Sequence, residues 1–145
     1  MTGETDLPTL LATLEPELDA ATYVFTTFPE YPDLPLEPVA MIQEPEGWTL
    51  IVRQDRACEH NLVVTFPCRR ITLKVHSSLA AVGMMAAVAR ALADAGISCN
   101  PVAGYHHDHL FVPEKDAQRA MEAIRQLSDT AGQHANCVTV PADKQ

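Results

Sequence analysis

The chain has 145 residues, 47% of them hydrophobic and 20% charged, and its formal net charge is −9. This length suits one globular domain, or two small ones that share a core. Such an acidic surface repels phosphate backbones, so we expect no DNA- or RNA-binding role. The four cysteines form no C-x-x-C pair, so they predict neither a zinc site nor a redox motif.

The N-terminal sequence MTGETDLP lacks a basic region followed by an apolar one, so we expect no signal peptide. No apolar run approaches the roughly 20 residues that a membrane-spanning helix requires. The lack of a targeting segment and of a membrane span predicts a cytoplasmic protein without a membrane partner, in which the thiols are expected to be free.

The first half of the chain predicts the element order α-β-β-β-α-β. Asp6 is expected to cap a first helix, in which leucines recur at helical spacing as far as Pro16. Residues 22–28 are rich in β-branched and aromatic side chains and predict a strand, whereas the four prolines of residues 29–38 predict a loop. Two strands, a short helix and a last strand are then predicted at 38–42, 48–52, 54–60 and 62–66.

The second half predicts the order β-α-β-β-α-β, which gives an antiparallel sheet with both helices on one face. After a strand at 71–75, Ser77 or Ser78 is expected to cap a helix that Gly96 ends. The predicted core stripe of this helix consists of Leu79, Val82, Met85, Ala89 and Leu92. The remaining elements are two strands, a helix and a closing strand at 97–105, 109–112, 113–127 and 136–140.

Three segments of the second half together resemble a known family, namely residues 78–83 (SLAAVG), 95–100 (AGISCN) and 108–113 (DHLFVP). They are similar to the short bacterial tandem ACT-domain proteins, a former domain-of-unknown-function family, and to the ACT pairs of CASTOR-type arginine sensors. The resemblance implies an α+β, ferredoxin-like ACT fold with two units in tandem and regulatory amino-acid binding. The expected units are an N-terminal one at 7–67, which lacks its opening strand, and a C-terminal one at 68–141.

The junction between the strand at 71–75 and the following helix is the first candidate site. A helix N-terminus presents unpaired N–H groups and a partial positive charge, which suit the carboxylate of an amino acid. We therefore expect the backbone of Ser77, Ser78 and Leu79 to hold a carboxylate, and Gly83 to allow a close approach. The alternative is that Ser78 only caps the helix and Gly83 only permits tight helix–sheet packing.

Three polar residues outside this junction are further candidates. The side-chain amide of Asn100 can both donate to and accept from an amino-acid backbone, or it can satisfy its own backbone in a turn. Glu44 and Asp108 are acids that can meet a ligand's ammonium group. For both acids the alternative is a solvated turn.

Residues 106–109 (HHDH) offer three imidazoles and a carboxylate, but consecutive residues of a strand alternate between its faces. Without further ligands at suitable spacing, this segment indicates a hairpin turn rather than a metal site. No motif for a nucleophile or a phosphate-binding loop is present, so the sequence predicts no enzyme, no metal and no cofactor.

Together, the residues and the resemblance predict a non-enzymatic sensor that binds an amino acid where two ACT units or two subunits meet. Its ligand is expected to favour one arrangement through differential affinity. One alternative is a structural module that binds another chain by strand addition at an exposed edge near Val112. A metal-binding protein is a further alternative, and a homodimer through sheet edges or helices fits the resemblance.

Overall fold

A computed structural model describes residues 3–136 of the chain. The helices and strands, in chain order, are α1 (Leu7–Ala12), β1 (Pro16–Phe28), β2 (Ala40–Glu44), β3 (Gly47–Arg53), α2 (Gln54–Glu59), β4 (Thr65–Leu73), α3 (Met84–Asp94), β5 (Asn100–Ala103), β6 (Asp108–Pro113) and α4 (Ala117–Asn136). A short 3-10 turn, Glu114–Asp116, precedes α4. The predicted α+β class is confirmed.

All six strands join a single antiparallel sheet in the order β2-β3-β1-β4-β6-β5. Strands β2-β3-β1-β4 follow the spatial order of a ferredoxin-like unit, and strands β5-β6-β4-β1 follow the same order from the opposite edge. Strands β1 and β4 therefore belong to both units, because each opens one unit and closes the other. This sharing turns the two predicted sheets into one.

The prediction that the N-terminal unit lacks its opening strand is wrong. By topology β1 is its opening strand, so that strand is present. Among the described residues the unit instead lacks a helix between β1 and β2, where residues 29–39 form a loop without helix. Leu36 of this loop is buried against α2 and the sheet, so the loop covers the core where a helix would otherwise lie.

Strand β4 is continuous where the sequence predicts two strands, at 62–66 and 71–75. Pro67 fits inside it because the register of β4 on β1 shifts at this point and Phe66 adopts a φ of 58°. Strand β6 pairs with β4 only from Cys68 onward, so the missing N–H of Pro67 interrupts no bond on that side. The boundary between the two units at this strand stays a prediction.

The helices pack on one face of the sheet, as predicted. Most of the core lies between the sheet and helices α1, α3 and α4, and its fully buried members include Leu10, Ile71, Leu73, Val88, Leu92, Leu110 and Ile124. A second cluster beside α2 contains Val24, Leu36, Leu50, Val52 and Ala57. Because side chains alternate along a strand, the register places both clusters on the same face. On the other face Tyr23 and Phe25 meet Phe111 edge-on at 6.0 and 6.1 Å.

The sequence predicts that helix α3 begins after a cap at Ser77 or Ser78, but the helix begins at Met84. Its N-cap is Gly83, which adopts a left-handed φ of 101°. This φ strongly favours glycine, and a Cβ at this position would also lie 3.0 Å from the end of the Leu7 side chain in α1. Residues 77–82 consequently form a loop ahead of the helix.

The later helix start also changes the buried stripe of α3. Its buried residues are Met84, Val88 and Leu92, and of these only Leu92 belongs to the predicted stripe. Leu79 and Val82 of the predicted stripe are 70% and 82% exposed. The predicted end is confirmed, since Gly96 has a φ of 72° and donates to the carbonyl of Ala93.

The sheet has its edges at β2 and β5, which contradicts the predicted open edge near Val112. Strand β6 pairs with β4 on one side and β5 on the other, and Val112 is fully buried. The predicted homodimer through sheet edges or helices stays a prediction.

Helix α4 extends to Asn136, so the first residue of the predicted closing strand at 136–140 is helical, and the remainder lies outside the described residues. The position beside β4 that a closing strand would take is occupied by β1. Within the described part of the chain no helix is long and apolar enough to cross a membrane. The cytoplasmic location stays a prediction.

Candidate ligand-binding site

A cavity of about 230 Å³ lies between the β4–α3 loop, the first turn of α3 and the β5–β6 hairpin. Five of the seven predicted site residues line it, namely Ser77, Ser78, Leu79, Gly83 and Asp108. The rest of its lining consists of Ala81, Met84, Met85, Ala86, Ala103 and Gly104. The fold therefore brings most of the predicted site together within the C-terminal unit.

The first turn of α3, whose residues line this cavity, contains backbone N–H groups without an acceptor in the helix. Gly83 has no side chain that could cap the helix. The first hydrogen bond of the helix runs from the N–H of Ala87 to the carbonyl of Gly83, at 3.0 Å. The N–H groups of Met84, Met85 and Ala86 consequently have no acceptor within the helix. The partial positive charge of the helix dipole is concentrated at these groups.

Two of the three loop amides that the sequence predicts for this role, those of Ser77 and Ser78, are bonded within the chain. Ser77 donates its N–H to the carbonyl of Val75 at 3.1 Å, and Ser78 donates to the carbonyl of Glu4 at 2.9 Å. The Ser78 hydroxyl accepts the N–H of Ala80 at 3.1 Å. The predicted binding of a carboxylate by the Ser77 and Ser78 amides is therefore wrong. The Leu79 amide, whose residue also lines the cavity, donates to no acceptor in the described part of the chain, so its contact with a ligand stays a prediction.

Asp108, at the start of β6, brings a carboxylate to the same cavity. Burial raises its pKa above the usual carboxyl range, although His109, the Ser77 side chain and His107 act in the opposite direction. An ionised carboxylate in such a half-buried position lacks part of its hydration. A cationic group of a ligand would replace that lost hydration.

Two predicted site residues lie away from the cavity. Asn100 is exposed at the beginning of β5, at the opposite end of that strand from Ala103. Glu44 ends β2, at the far edge of the sheet, and its carboxylate accepts a hydrogen bond from the hydroxyl of Thr49. Neither residue can contact a ligand in this cavity.

The side chains of residues 106–109 contact different neighbours. His107 Nδ1 lies 3.5 Å from the carbonyl of Val75, whereas His109 Nδ1 lies 2.9 Å from Thr72 Oγ1. The ring of His106 lies 5.8 Å from that of His76, measured between centroids. Within residues 3–134 no three histidine, cysteine or acidic side chains are placed to hold a metal ion.

Two of the three described cysteines, Cys68 and Cys99, lie in surroundings that disfavour the reactive thiolate. Cys58, Cys68 and Cys99 are free thiols, and Cys137 lies outside the described residues. Burial, with a smaller contribution from Glu114, raises the pKa of Cys68 to about 12, and burial also raises the pKa of Cys99. Both thiols therefore stay protonated at neutral pH, in the unreactive form.

Sequence reasoning missed the residues that the hairpin and the shifted helix bring to the cavity. Ala103 and Gly104 carry no chemistry that marks a site, and Met84 and Met85 fit a core interpretation. One signal was available for the helix start, because glycine is an accepted N-cap residue. It was outweighed by the stronger capping preference of the two serines before it.

Two ACT-domain family models match the chain, one over residues 2–69 and the other over residues 65–126. A solved structure of a Vibrio cholerae protein of unknown function, described as a possible transport protein, matches with a TM-score of 0.77. Its sequence is 43% identical, and the match covers 84% of this chain and 95% of that chain. No curated protein sequence gives a significant match.

More distant structures share the fold. The ligand-free regulatory subunit of aspartate kinase from Thermus thermophilus matches with a TM-score of 0.61 at 14% identity, over 77% of this chain and 95% of that chain. Aspartate kinase from Synechocystis matches with a TM-score of 0.61 at 16% identity, over 98% of this chain and 30% of that chain. With the family models and the Vibrio cholerae relative, these matches lead to one conclusion: the chain belongs to the ACT-domain family and carries two ACT domains in tandem.

Proposed function

We propose that this protein is a non-catalytic regulatory protein whose C-terminal ACT unit binds a small amino acid in the cavity beside α3. ACT domains are regulatory modules, and the fold is shared with the regulatory subunit of an aspartate kinase. The observation that carries the proposal is that one cavity is lined by both the uncapped first turn of α3 and the carboxylate of Asp108.

These two features are complementary to the two charges of an α-amino acid. The N–H groups of Met84, Met85 and Ala86 can donate to a carboxylate at the positive end of the helix. Asp108 can accept from the ammonium group, in a charge-assisted hydrogen bond. A ligand that carries only one of the two groups would leave the other feature unpaired.

The size and lining of the cavity limit the rest of the ligand. Its volume of about 230 Å³ is below the roughly 300–1,000 Å³ that is usual for drug-sized ligands. No lysine or arginine is among its lining residues, and Leu79 and Met85 offer apolar surface. We therefore expect a small amino acid with an uncharged side chain, because a second carboxylate would lie near Asp108 without a cation to meet it.

Regulation would follow from the elements that the ligand joins. The cavity is formed by the start of a helix and the tip of a hairpin, which are separate in sequence. A ligand bonded to both favours the arrangement that holds them at this separation, and it shifts the population by its differential affinity. In this proposal the N-terminal unit, at 7–67, supports the shared sheet and has no equivalent of the α3 site.

A thermal-shift screen over the twenty amino acids tests the proposal. A ligand at about 100 times its Kd stabilises the folded state by about 2.7 kcal/mol, which corresponds to about 5–10 °C for a domain of this size. The best amino acid is then compared with its decarboxylated amine and its N-acetyl derivative, each of which lacks one charge. We expect a shift with the amino acid and none with either derivative.

Two results would contradict the proposal. One is the absence of a shift with every amino acid at millimolar concentration. The other is a shift of equal size with the decarboxylated amine, because the α3 amides would then have no part in binding.

A further inference from the structure

The two edges of the sheet differ in how they are protected against a further strand. Strand β5 is four residues long and contains Pro101, which has no N–H to offer. Short edge strands and proline are devices by which proteins prevent the addition of strands. Strand β2, at the other edge, contains no proline, lysine or arginine. Four of its five residues are exposed, and no strand of the described chain pairs with its outer edge, so this edge is open to another chain.

Strand β2 also exposes apolar side chains on both faces of the sheet. Met41 is 50% exposed and Ile42 is 52% exposed, and as neighbours in a strand they point to opposite faces. Of the ten large hydrophobic residues that are exposed in the described chain, half lie on β2 or the loop before it, namely Tyr31, Leu34, Val39, Met41 and Ile42. Such a concentration of apolar surface marks an interaction site.

The charges around β2 determine which partner fits. Residues 29–46 contain five acids and no lysine, arginine or histidine; the acids are Glu30, Asp33, Glu37, Glu44 and Glu46. Among the residues that the structure describes, only Glu37 of these five has a cationic partner, since Arg56 lies 3.3 Å from its carboxylate. A second copy of this chain would bring two acidic surfaces together, which is unfavourable, whereas a basic segment is complementary.

We propose that the β2 edge binds an extended, basic segment of another protein by strand addition. The backbone of the segment would extend the sheet beyond β2, and its apolar side chains would pack beside Met41 and Ile42. Its lysine or arginine side chains would meet the acidic rim at 29–46. This site is separate from the cavity beside α3, at the opposite edge of the sheet, and does not depend on amino-acid binding.

The test uses a fluorescent peptide of alternating lysine and valine, with fluorescence anisotropy as the readout. Two control peptides have glutamate in place of lysine, or a proline at the centre that prevents strand pairing. Two protein variants carry the same change of charge at exposed positions: Ile42→Lys on the β2 edge and Tyr105→Lys in the β5–β6 hairpin, where Tyr105 is 72% exposed.

We expect the lysine–valine peptide to bind, and neither control peptide to bind comparably. Ile42→Lys should weaken binding by about tenfold or more, the equivalent of about 1.4 kcal/mol, whereas Tyr105→Lys should leave it almost unchanged. Equal weakening by both variants, or equal binding of the proline peptide, would overturn the proposal, because attraction to net charge alone would then explain the result. Light scattering that shows a dimer of the protein, lost in Ile42→Lys, would also overturn it by assigning the edge to a second copy.

Discussion

The ionised carboxylate of Asp108 favours ligand binding but lowers the stability of the ligand-free protein. Its pKa is raised, first by burial, so the ionised form is less favourable in the folded protein than in the unfolded chain. A group with a raised folded pKa stabilises the protein at low pH, and that stabilisation is lost as the pH rises through the folded pKa. At neutral pH the charge of Asp108 therefore costs stability, which a ligand's ammonium group would recover.

The substitution Asp108→Asn separates the two effects. We expect it to abolish the thermal shift caused by the amino acid, because a neutral amide cannot pair with the ammonium group. Without ligand, the variant should unfold at a temperature equal to or above that of the parent at pH 7, because the half-buried charge is gone. Thermal unfolding with and without ligand measures both; a lower midpoint and a retained shift would contradict this role.

Ligand affinity should also depend on pH in a way that Asp108 sets. The ionised carboxylate is needed for the ammonium group, so affinity should fall as the pH is lowered through the raised pKa of Asp108. Because that pKa lies above the usual carboxyl range, the loss should begin at a higher pH than for an ordinary aspartate. Titration calorimetry over a pH series checks this. An affinity that stays constant as the pH is lowered through that range would contradict the role of Asp108.

Helix α3 owes its position to Gly83, and the sequence alone placed that start too early. Serine is a strong N-cap residue, so local preference favoured Ser77 or Ser78. In the folded protein the backbone of Ser78 bonds to Glu4, and the N–H of Glu4 bonds to the carbonyl of His76 at 2.9 Å. These contacts with a segment far away in sequence hold the loop out of the helix, and no local pattern encodes them.

Alanine substitutions of Gly83 and Gly132 test whether the start of α3 depends on glycine. Gly83→Ala forces a side chain into a left-handed conformation and against Leu7, and we expect it to lower the free energy of unfolding by about 1–2 kcal/mol. Gly132→Ala, inside α4, meets no atom within 4 Å and should instead stabilise by about 0.5–1 kcal/mol. Urea denaturation of both variants measures the difference; equal effects would contradict the account of the Gly83 turn.

At the scale of the whole molecule, strands β1 and β4 join the two ACT units in one sheet. The sequence predicted the class of fold and nearly every strand, because apolar alternation and turn residues are local signals. It could not predict the sharing of β1 and β4, since strand order depends on contacts between distant residues. The sequence also could not predict that Ala103 and Gly104 line the cavity, because only the fold brings them beside α3.

The shared strands predict that both units unfold in a single transition. Leu50 and Leu92 are fully buried in the N-terminal and C-terminal parts of the core, and replacing either with alanine should cost about 2–5 kcal/mol. Each variant should move the fluorescence transition of Trp48, the one tryptophan of the chain, together with the helical circular-dichroism signal. A Trp48 transition that responds to Leu50→Ala alone would show that the units unfold separately.

The most direct test of the central claim is a titration followed by the backbone amide signals in nuclear magnetic resonance. The titrant is the amino acid that gives the largest thermal shift. We expect the largest changes at the N–H groups of Met84, Met85 and Ala86, together with Asp108, because these groups are proposed to hold the two charges of the ligand. Changes confined to the turn at residues 44–47, with the α3 amides unaffected, would contradict the proposed site.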